Sequence, residues 1–562
     1  MNSGITKLIR FYLGHSRRII IFGIAAGILA GVSSSALVAL IGLKIASPES
    51  SRWPYIWAFC GLTVVDLMAI YISGVLSTRL IQRANFDMRM RLCREILDTP
   101  LRNLEKTGNH RLLAVLDQDI PTITSGILQV PQLCINVAVL SGLLIYLGWL
   151  SPTLLLVLVT FLATMIFLLK MLEKRADHLM RQAREEWDTL MRHFQSLTEG
   201  IKELKLHHDR RETFFQDMLT TSATSYQHYT SRRGRMQALT SGMAQVLYFF
   251  VIGLIIFVFP VSVSGNRSQV LMGYALTILY MRGHIMGLLG ALPALGQAAV
   301  SLRKVEQLGL SLTSAEASNG DAQSAGVSPF WERLELRGAS HTYYREREDD
   351  NFMLGPINLT LRPGELIFVV GGNGSGKTTL AKMLTGLYIP EKGEILLDGE
   401  PITATNMDSY RQLFSVVFSD FFIFDELLGV GGADVDEKAR EYIRKLQLDH
   451  KVEVTGRKLS TTNLSLGQRK RLALLTAYLE DRPIYLFDEW ASGQDPHFKE
   501  FFYLRLVPEL KAKGKTLIII SHDDRHYHMA DRIIKLEDGL IVADRQPAEL
   551  MDVTYELGAV PA

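Results

Sequence analysis

The chain has 562 residues, 48% of them apolar, a mean hydropathy of +0.14 and a formal net charge of +2. That length exceeds one ordinary domain, the hydropathy is high for a wholly water-soluble protein, and the near-neutral charge gives no support to a polyanionic partner. Three scattered cysteines, Cys60, Cys93 and Cys134, lack metal-ligand spacing and point to reduced thiols rather than a disulfide frame.

Basic residues Lys7, Arg10, Arg17 and Arg18 precede an apolar stretch, Ile19–Leu43, that is too long for the core of a signal peptide and suits an uncleaved membrane anchor. Five further stretches are long and apolar enough to span a bilayer: Tyr55–Leu76, Val130–Leu150, Thr153–Leu172, Gly242–Phe259 and Val270–Leu295. Short connections pair the six. Two long stretches, Arg79–Leu128 and Glu173–Thr240, separate the pairs and carry most of the Lys and Arg at helical spacing. The positive-inside rule places those stretches and both termini in the cytoplasm. An even number of spans gives the same answer for the C-terminal half. The basic runs read as solvated faces of helices that continue beyond the membrane, in preference to nucleic-acid or lipid sites. Gly108-Asn109 and Pro121 mark breaks where such a helix could turn to touch another domain. Asp66, Arg282 and His284 fall inside spans, where facing lipid is costly. Each reads as part of an ion pair or an interfacial placement, with contact for cargo as the alternative and a proton relay last.

A stretch rich in Ser, Ala, Gly, Asn and Asp from Ser311 to Ser328 reads as a linker. It divides a membrane domain, residues 1–310, from a second domain, residues 329–562. In that second domain, Gly371–Thr378 spells Gly-Gly-Asn-Gly-Ser-Gly-Lys-Thr, the phosphate-binding pattern G-x-x-x-x-G-K-[ST]. Gly371, Asn373, Gly374, Ser375 and Gly376 supply backbone N–H groups that can close around phosphates. Lys377 supplies a cation, Thr378 a hydroxyl for Mg²⁺, and Thr379 continues the cradle. The apolar run Leu366–Val370 reads as the strand before the loop, and Thr379–Leu387 as the helix after it, whose N-terminus favours an anion. A second apolar run, Ile484–Phe487, ends in Asp488-Glu489. A carboxylate at the end of a buried strand beside a phosphate loop suits Mg²⁺, and the neighbouring Glu489 suits a general base toward water. The expected fold is an α-helical membrane domain followed by an α/β P-loop ATPase domain, with ATP and Mg²⁺ as ligands. The ATP site already supplies a driving force, which is why a proton relay in the spans ranks last.

Leu464-Ser465-Leu466-Gly467-Gln468 precedes a basic helical run, Arg469–Tyr478. With it, the order of motifs resembles the ABC transporters of the type IV exporter architecture, whose signature is L-S-G-G-Q. The resemblance implies that Ser465 and Gly467 contact the γ-phosphate bound to an opposite subunit, with Gln468 among the nucleotide-binding residues, and that Leu466 replaces the first glycine. It assigns adenine stacking to Tyr343, with Tyr344 as the rival, and γ-phosphate sensing to His522, which follows the apolar run Leu517–Ile520. His526 and His528 read as solvated. Asp495, in Ser492-Gly493-Gln494-Asp495, matches the segment joining two ATP sites. One departure stands out: Ser419 occupies the position of the family's glutamine that links ATP to the membrane domain. Asp420 is the candidate to replace the lost Mg²⁺ ligand, because a carboxylate suits a hard cation.

Phe418-Ser419-Asp420, Asp488-Glu489-Trp490-Ala491, Gln494–Phe498, Ser521–Asp524 and Glu199–Leu204 resemble a bacterial cyclic-peptide exporter group that includes the syringomycin, pyoverdine-precursor and YojI-type microcin exporters. The resemblance implies a half-transporter that pairs with a second chain, most simply its own copy. It implies export of a cyclic or lasso peptide, or a peptide-siderophore, across the bacterial inner membrane by alternating access. Membrane lipids are expected partners and nucleic acid is not. The alternatives are a lipid or multidrug exporter of the same architecture, and a membrane ATPase that gates rather than pumps.

Overall fold

The computed structural model describes residues 17–46, 51–257, 267–307, 330–345, 350–432 and 434–547. The linker expected at Ser311–Ser328 lies outside these residues. The chain divides into two compact units, one of Met1–Leu97 with Asn109–Ser314, the other of Asp98–Gly108 with Ala315–Ala562.

The first unit is helical. Six helices are long and apolar enough to cross a membrane, at Ile21–Ile45, within Arg52–Asp98, within Arg111–Leu150, at Pro152–Met171, within His208–Phe257 and within Val270–Glu306. They coincide with the six expected stretches. The helices Arg52–Asp98 and Pro152–Glu199 have 47 and 48 residues. At about 1.5 Å per residue each reaches roughly 70 Å, far beyond a hydrocarbon core of about 30 Å. The apolar share of each sequence therefore sits in one portion and the basic residues in the rest.

Packing in this unit relies on small residues, because lipid offers no hydrophobic drive for helices to associate. A Cβ on Gly126 would stand 2.3 Å from the Cβ of Ala298, so only glycine lets those two helices approach. One buried cluster joins Leu92, Ile123, Ile127, Leu295, Ala298 and Leu302. A second joins Val139, Leu143, Leu158, Val251, Tyr274 and Ile278. The Tyr274 hydroxyl donates to the carbonyls of Leu147 at 2.8 Å and Ser151 at 2.5 Å, so its polar end is satisfied away from water. Trp57, Leu67, Leu156 and Phe167 are exposed. Apolar side chains pointing outward are expected where the surroundings are acyl chains.

The second unit is α/β. Its strands are β1 (Leu334–Arg345), β2 (Asp350–Leu361), β3 (Leu366–Gly371), β4 (Lys392–Leu397), β5 (Glu400–Pro401), β6 (Phe414–Val417), β7 (Val454–Thr455), β8 (Lys458–Leu459), β9 (Ile484–Asp488), β10 (Thr516–Ile520), β11 (Arg532–Glu537) and β12 (Leu540–Arg545). The main sheet runs β12-β11-β3-β10-β9-β6, with β2-β1-β4-β5 as a second sheet. Strands β3, β9 and β10 are buried along nearly their whole length, as parallel strands covered on both faces must be, and they read in sequence as unbroken apolar runs. In the parallel register Ile520 lies beside both Val369 and Asp488. The carboxyl ends of three adjacent strands are therefore level, and the loops leaving them share one edge, where α/β sheets place ligands.

Asp98–Gly108 belongs to this second unit although spans flank it in the chain. It contains the short helix Leu101–Thr107, closed by Gly108 at φ 79°. Arg102 pairs with Glu391 at 2.5 Å and donates to the carbonyl of Thr342 at 3.0 Å. Glu105 accepts from Lys382 at 2.8 Å and from the Tyr388 hydroxyl. Leu101 packs against the sheet core.

Candidate functional site

The loop after β3 runs into the helix Lys377–Leu384, which starts two residues before the sequence expectation, with Gly376 in a left-handed conformation at φ 99°. A Cβ on Gly371 would stand 2.3 Å from the carbonyl of Leu536 and 2.7 Å from the Ser375 hydroxyl, and its φ is 152°. Glycine is required there for the chain to turn tightly against β11. Lys377 is buried and donates to the carbonyls of Gly371 at 3.1 Å and Gly372 at 2.9 Å. Burial pulls its pKa down, while the carboxylates of Glu489 and Asp488 hold it up. Its ammonium thus lies across the mouth of the loop, where a phosphate would replace the two carbonyls. Asn373 and Gly374 are exposed, and Thr379 is half-buried.

Asp488 ends β9 and is fully buried. Its Oδ2 accepts from the Thr378 hydroxyl at 2.9 Å and the Ser419 hydroxyl at 3.4 Å. Burial raises its pKa, and the hydrogen bonds from Thr378 and Ser419 pull it back. Two polar atoms here are buried with no hydrogen-bond partner, Asp488 Oδ1 and Ser375 Oγ. Such orphans are costly unless a ligand completes them. An unfilled carboxylate oxygen beside a threonine hydroxyl fits a hard divalent cation such as Mg²⁺, and a phosphate-facing serine fits the anion that the cation accompanies. Ser419, in the turn after β6, therefore reaches the Asp488 carboxylate. Among the described residues no hydrogen bond joins Asp420 to this cluster.

Glu489 has φ 49°, a strained value for a non-glycine residue. Its Oε1 lies 3.1 Å from Nε2 of His522, which follows β10. The two side chains are half-exposed and share one cavity of about 290 Å³ with Ser492, Lys499, Ser521, Asp523 and Asp524. The sheet thus brings the buried Asp488 carboxylate, the Glu489 carboxylate and the His522 imidazole to one edge.

Ser465 caps the helix Leu466–Glu480. Its hydroxyl accepts from the backbone N–H of Gln468 at 3.4 Å, and the Gln468 side chain accepts from the Ser465 N–H at 3.2 Å. That reciprocal capping box gives Gln468 a role within its own chain. A Cβ on Gly467 would meet only ordinary contacts, at 3.7 Å or more. Nothing in the chain's own packing demands glycine there, so any such demand comes from what docks on the outside. Leu466 is exposed. Asp495 caps the helix Pro496–Phe501, accepting from the Phe498 N–H at 2.9 Å, and is ion-paired with Arg471. Ser465, Gly467, Gln468 and Asp495 line a second open cavity of about 580 Å³, separate from the one holding Glu489 and His522. The helix capped by Ser465 and the Glu489–His522 pair thus open on different cavities of one chain.

Residues 354–492 match the ABC transporter family, and residues 18–288 match the ABC transporter transmembrane region. The ATP-binding protein SyrD of Pseudomonas syringae pv. syringae is 36% identical over 538 residues, 93% of this chain and 94% of that one. The chain belongs to the ABC transporter family. It is an ATP-hydrolysing, multi-pass membrane transporter, and one membrane region with one ATPase domain makes it a half-transporter, an architecture that implies a dimer partner. An ATP-dependent lipid A-core flippase of Thiobacillus denitrificans is 25% identical over 511 residues, 87% of the transporter and 85% of that protein. In fold, the transporter is similar to a bacterial Atm1-family ABC exporter solved with ATP bound, at TM-score 0.73 and 15% identity, covering 98% and 99% of the two chains.

Other expectations fare unevenly. The side chains of Tyr343 and Tyr344 lie outside the described residues; their backbones pair with Phe352 and Asn351 in β1–β2. His526 is not solvated: it is buried and stacked on Tyr503 at 4.1 Å between ring centroids, an aromatic filling a core edge, whereas His528 is exposed. The membrane candidates of the transporter do not converge. Asp66 accepts from the hydroxyls of Ser33 at 2.8 Å and Ser34 at 2.7 Å. Arg282 donates to Gln245 at 3.4 Å, and His284 contacts Asn136 at 3.0 Å. Among the described residues no ion pair joins Asp66 to Arg282. Sequence reasoning missed Arg102, Glu105, Lys382, Tyr388 and Glu391. The only signal was the turn at Gly108-Asn109, which announced a break without naming its partners.

Proposed function

We propose that the transporter exports a peptide-like cargo, a cyclic or lasso peptide or a peptide-siderophore, across the bacterial inner membrane as a homodimer. Both termini and the ATPase domain lie in the cytoplasm. In this reading Thr378 and Asp488 hold Mg²⁺, with Ser419 bonded to the same carboxylate and Asp420 as a further candidate ligand. When bound there, the cation would neutralise charge on the phosphates of ATP. The loop Gly371–Thr379 wraps the phosphates, Lys377 turns from its two carbonyls onto them, and Tyr343 stacks on adenine. Glu489 orients and deprotonates water, and His522 holds Glu489 and meets the γ-phosphate. Ser465, Gly467, Gln468 and Asp495 complete the partner chain's site.

The observation that supports pairing of two chains is that Glu489 and Ser465 line different cavities of one chain. Burying two nucleotides between two chains converts ATP binding into closure, and hydrolysis into release. The segment Asp98–Gly108, bonded to the ATPase core and continuous in sequence with two spans, is the route by which closure reaches the membrane helices. Cargo enters between the paired membrane domains, where Asp66, Arg282 and His284 are the polar candidates to meet it. The peptide class rests on the local wording shared with cyclic-peptide exporters and is supported by the likeness to SyrD over nearly the whole chain.

A lipid cargo is the second reading, favoured by the likeness to lipid A-core flippases. ATPase activity of the full chain in nanodiscs separates them. Stimulation by a cyclic lipopeptide with no response to lipid A supports the peptide reading; the reverse pattern overturns it.

A further inference from the structure

Lys470 lies in the second turn of the helix Leu466–Glu480, yet its side chain faces inward and is buried. A buried lysine needs acceptors for its ammonium. It finds two, both backbone carbonyls: Glu489 at 3.2 Å and Ser492 at 2.6 Å. These are the two ends of one turn, already closed by the N–H of Ser492 on the carbonyl of Glu489 at 3.1 Å. The contact is returned, because the indole N–H of Trp490 donates to the carbonyl of Lys470 at 2.6 Å. Trp490 is itself buried against Phe498 and Phe502. Two residues beyond Ser492, Gln494 donates to the carbonyl of Gly467 at 2.9 Å. The helix capped by Ser465 is therefore joined to the turn carrying Glu489 through Lys470 and Trp490, and to the residues just after it through Gln494 and Arg471.

Glu489 needs such a fixture. Its φ of 49° lies in the left-handed region, where a side chain bearing a Cβ is strained and persists only if its surroundings hold it. The N–H of Glu489 is held by the carbonyl of Ile520 at 3.1 Å. Its carbonyl side is held by Lys470.

We propose that Lys470 is a positioning residue for ATP hydrolysis: from the helix that Ser465 caps, it clamps the turn that aims Glu489 of the same chain. A hydrophobic side chain of similar length leaves both carbonyls short of a charged donor and frees the turn to leave its strained conformation. The carboxylate then spends less time within reach of the attacking water. Nucleotide binding, made by the phosphate loop, is untouched. The proposal rests on the reading of Glu489 as general base.

The test is ATPase kinetics of the full chain in nanodiscs for wild type, Lys470→Met, Lys470→Gln and Glu489→Gln, with affinity for a fluorescent ATP analogue as the folding control. Lys470→Met is expected to lower kcat by about tenfold, about 1.4 kcal/mol of transition-state stabilisation, with KM within about twofold. Lys470→Gln keeps N–H donors of shorter reach and is expected to recover about threefold of that loss. A wild-type kcat in Lys470→Met overturns the proposal, as does a rise in KM with kcat unchanged. If Lys470→Met fails to bind the analogue, Lys470→Gln decides alone: kcat lowered about threefold at constant KM supports the clamp, and wild-type kcat overturns it. Glu489→Gln separates the two ideas. Should it hydrolyse ATP normally, the base assignment fails; should it be inactive while Lys470→Met is normal, only the clamp fails.

Discussion

Replacing Glu105 by alanine removes the acidic anchor of the helix Leu101–Thr107. In the native chain this carboxylate accepts from Lys382 at 2.8 Å and from the Tyr388 hydroxyl, and both Glu105 and Lys382 keep less than a third of their side-chain surface exposed. Hydrogen bonds to charged groups contribute about 1.5–3 kcal/mol each. The two share one acceptor, and partial exposure weakens both, so about 2 kcal/mol is a fair figure for the pair. That corresponds to roughly a 30-fold loss in the preference of this segment for its docked position. Hydrogen–deuterium exchange reads the loss directly: amides of Leu101–Thr107 are expected to exchange roughly 30-fold faster in Glu105→Ala, while β3, β9 and β10 keep their protection. Glu105→Gln, which retains an acceptor without the charge, is expected to lie between, at roughly fivefold. Basal ATPase activity stays near wild type, and ATP-driven transport falls. Unchanged exchange in Leu101–Thr107 would show that Arg102, Leu101 and the backbone hold the segment unaided and would refute the anchoring role of Glu105.

Glu489→Gln is expected to bind ATP normally while hydrolysis falls by about 10²–10⁴-fold, checked by phosphate release against nucleotide affinity. Ser419→Ala removes a hydroxyl from the metal-side carboxylate, and Asp420→Ala removes the nearby candidate ligand. Each is expected to raise the Mg²⁺ concentration for half-maximal ATPase activity, and an unchanged Mg²⁺ titration in Asp420→Ala would remove that residue from the site. In the membrane unit, Gly126→Leu forces a side chain onto Ala298. Overpacking of this kind costs about 1–3 kcal/mol or more, seen as a lower Tm of the detergent-solubilised protein; an unaltered Tm would mean the two helices separate freely.

The parts of the fold written in unbroken apolar runs were legible. Six spans and the strands β3, β9 and β10 are signalled by length and composition alone, because a span or a doubly covered strand tolerates few polar residues. The phosphate loop was legible for a related reason: the Gly371 turn and the Lys377 cation have few chemical substitutes. The docking of Asp98–Gly108 was not. Arg102 lies in a long basic stretch that reads as solvated, and its partners Glu391 and Thr342 are hundreds of residues away. Charge in sequence carries no address. Lys470 was hidden in the same way, within the run Arg469-Lys470-Arg471, of which its side chain faces the core. His526 was misread because it stands among charged and polar neighbours, yet packing on Tyr503 buries it. For Asp66 an ion pair was expected, but the adjacent Ser33 and Ser34 hydroxyls bond it instead, and hydroxyls that commonly serve their own helix give no warning of that use.

The central claim is that ATP hydrolysis at a site shared between two chains moves a peptide-like cargo across the membrane. Uptake of a labelled cyclic lipopeptide into inside-out vesicles, compared between wild type and Glu489→Gln, tests it most directly. The account predicts ATP-dependent accumulation in wild-type vesicles and none above background in Glu489→Gln vesicles. Vigorous ATP hydrolysis without accumulation of that lipopeptide, or accumulation indifferent to ATP, would contradict it.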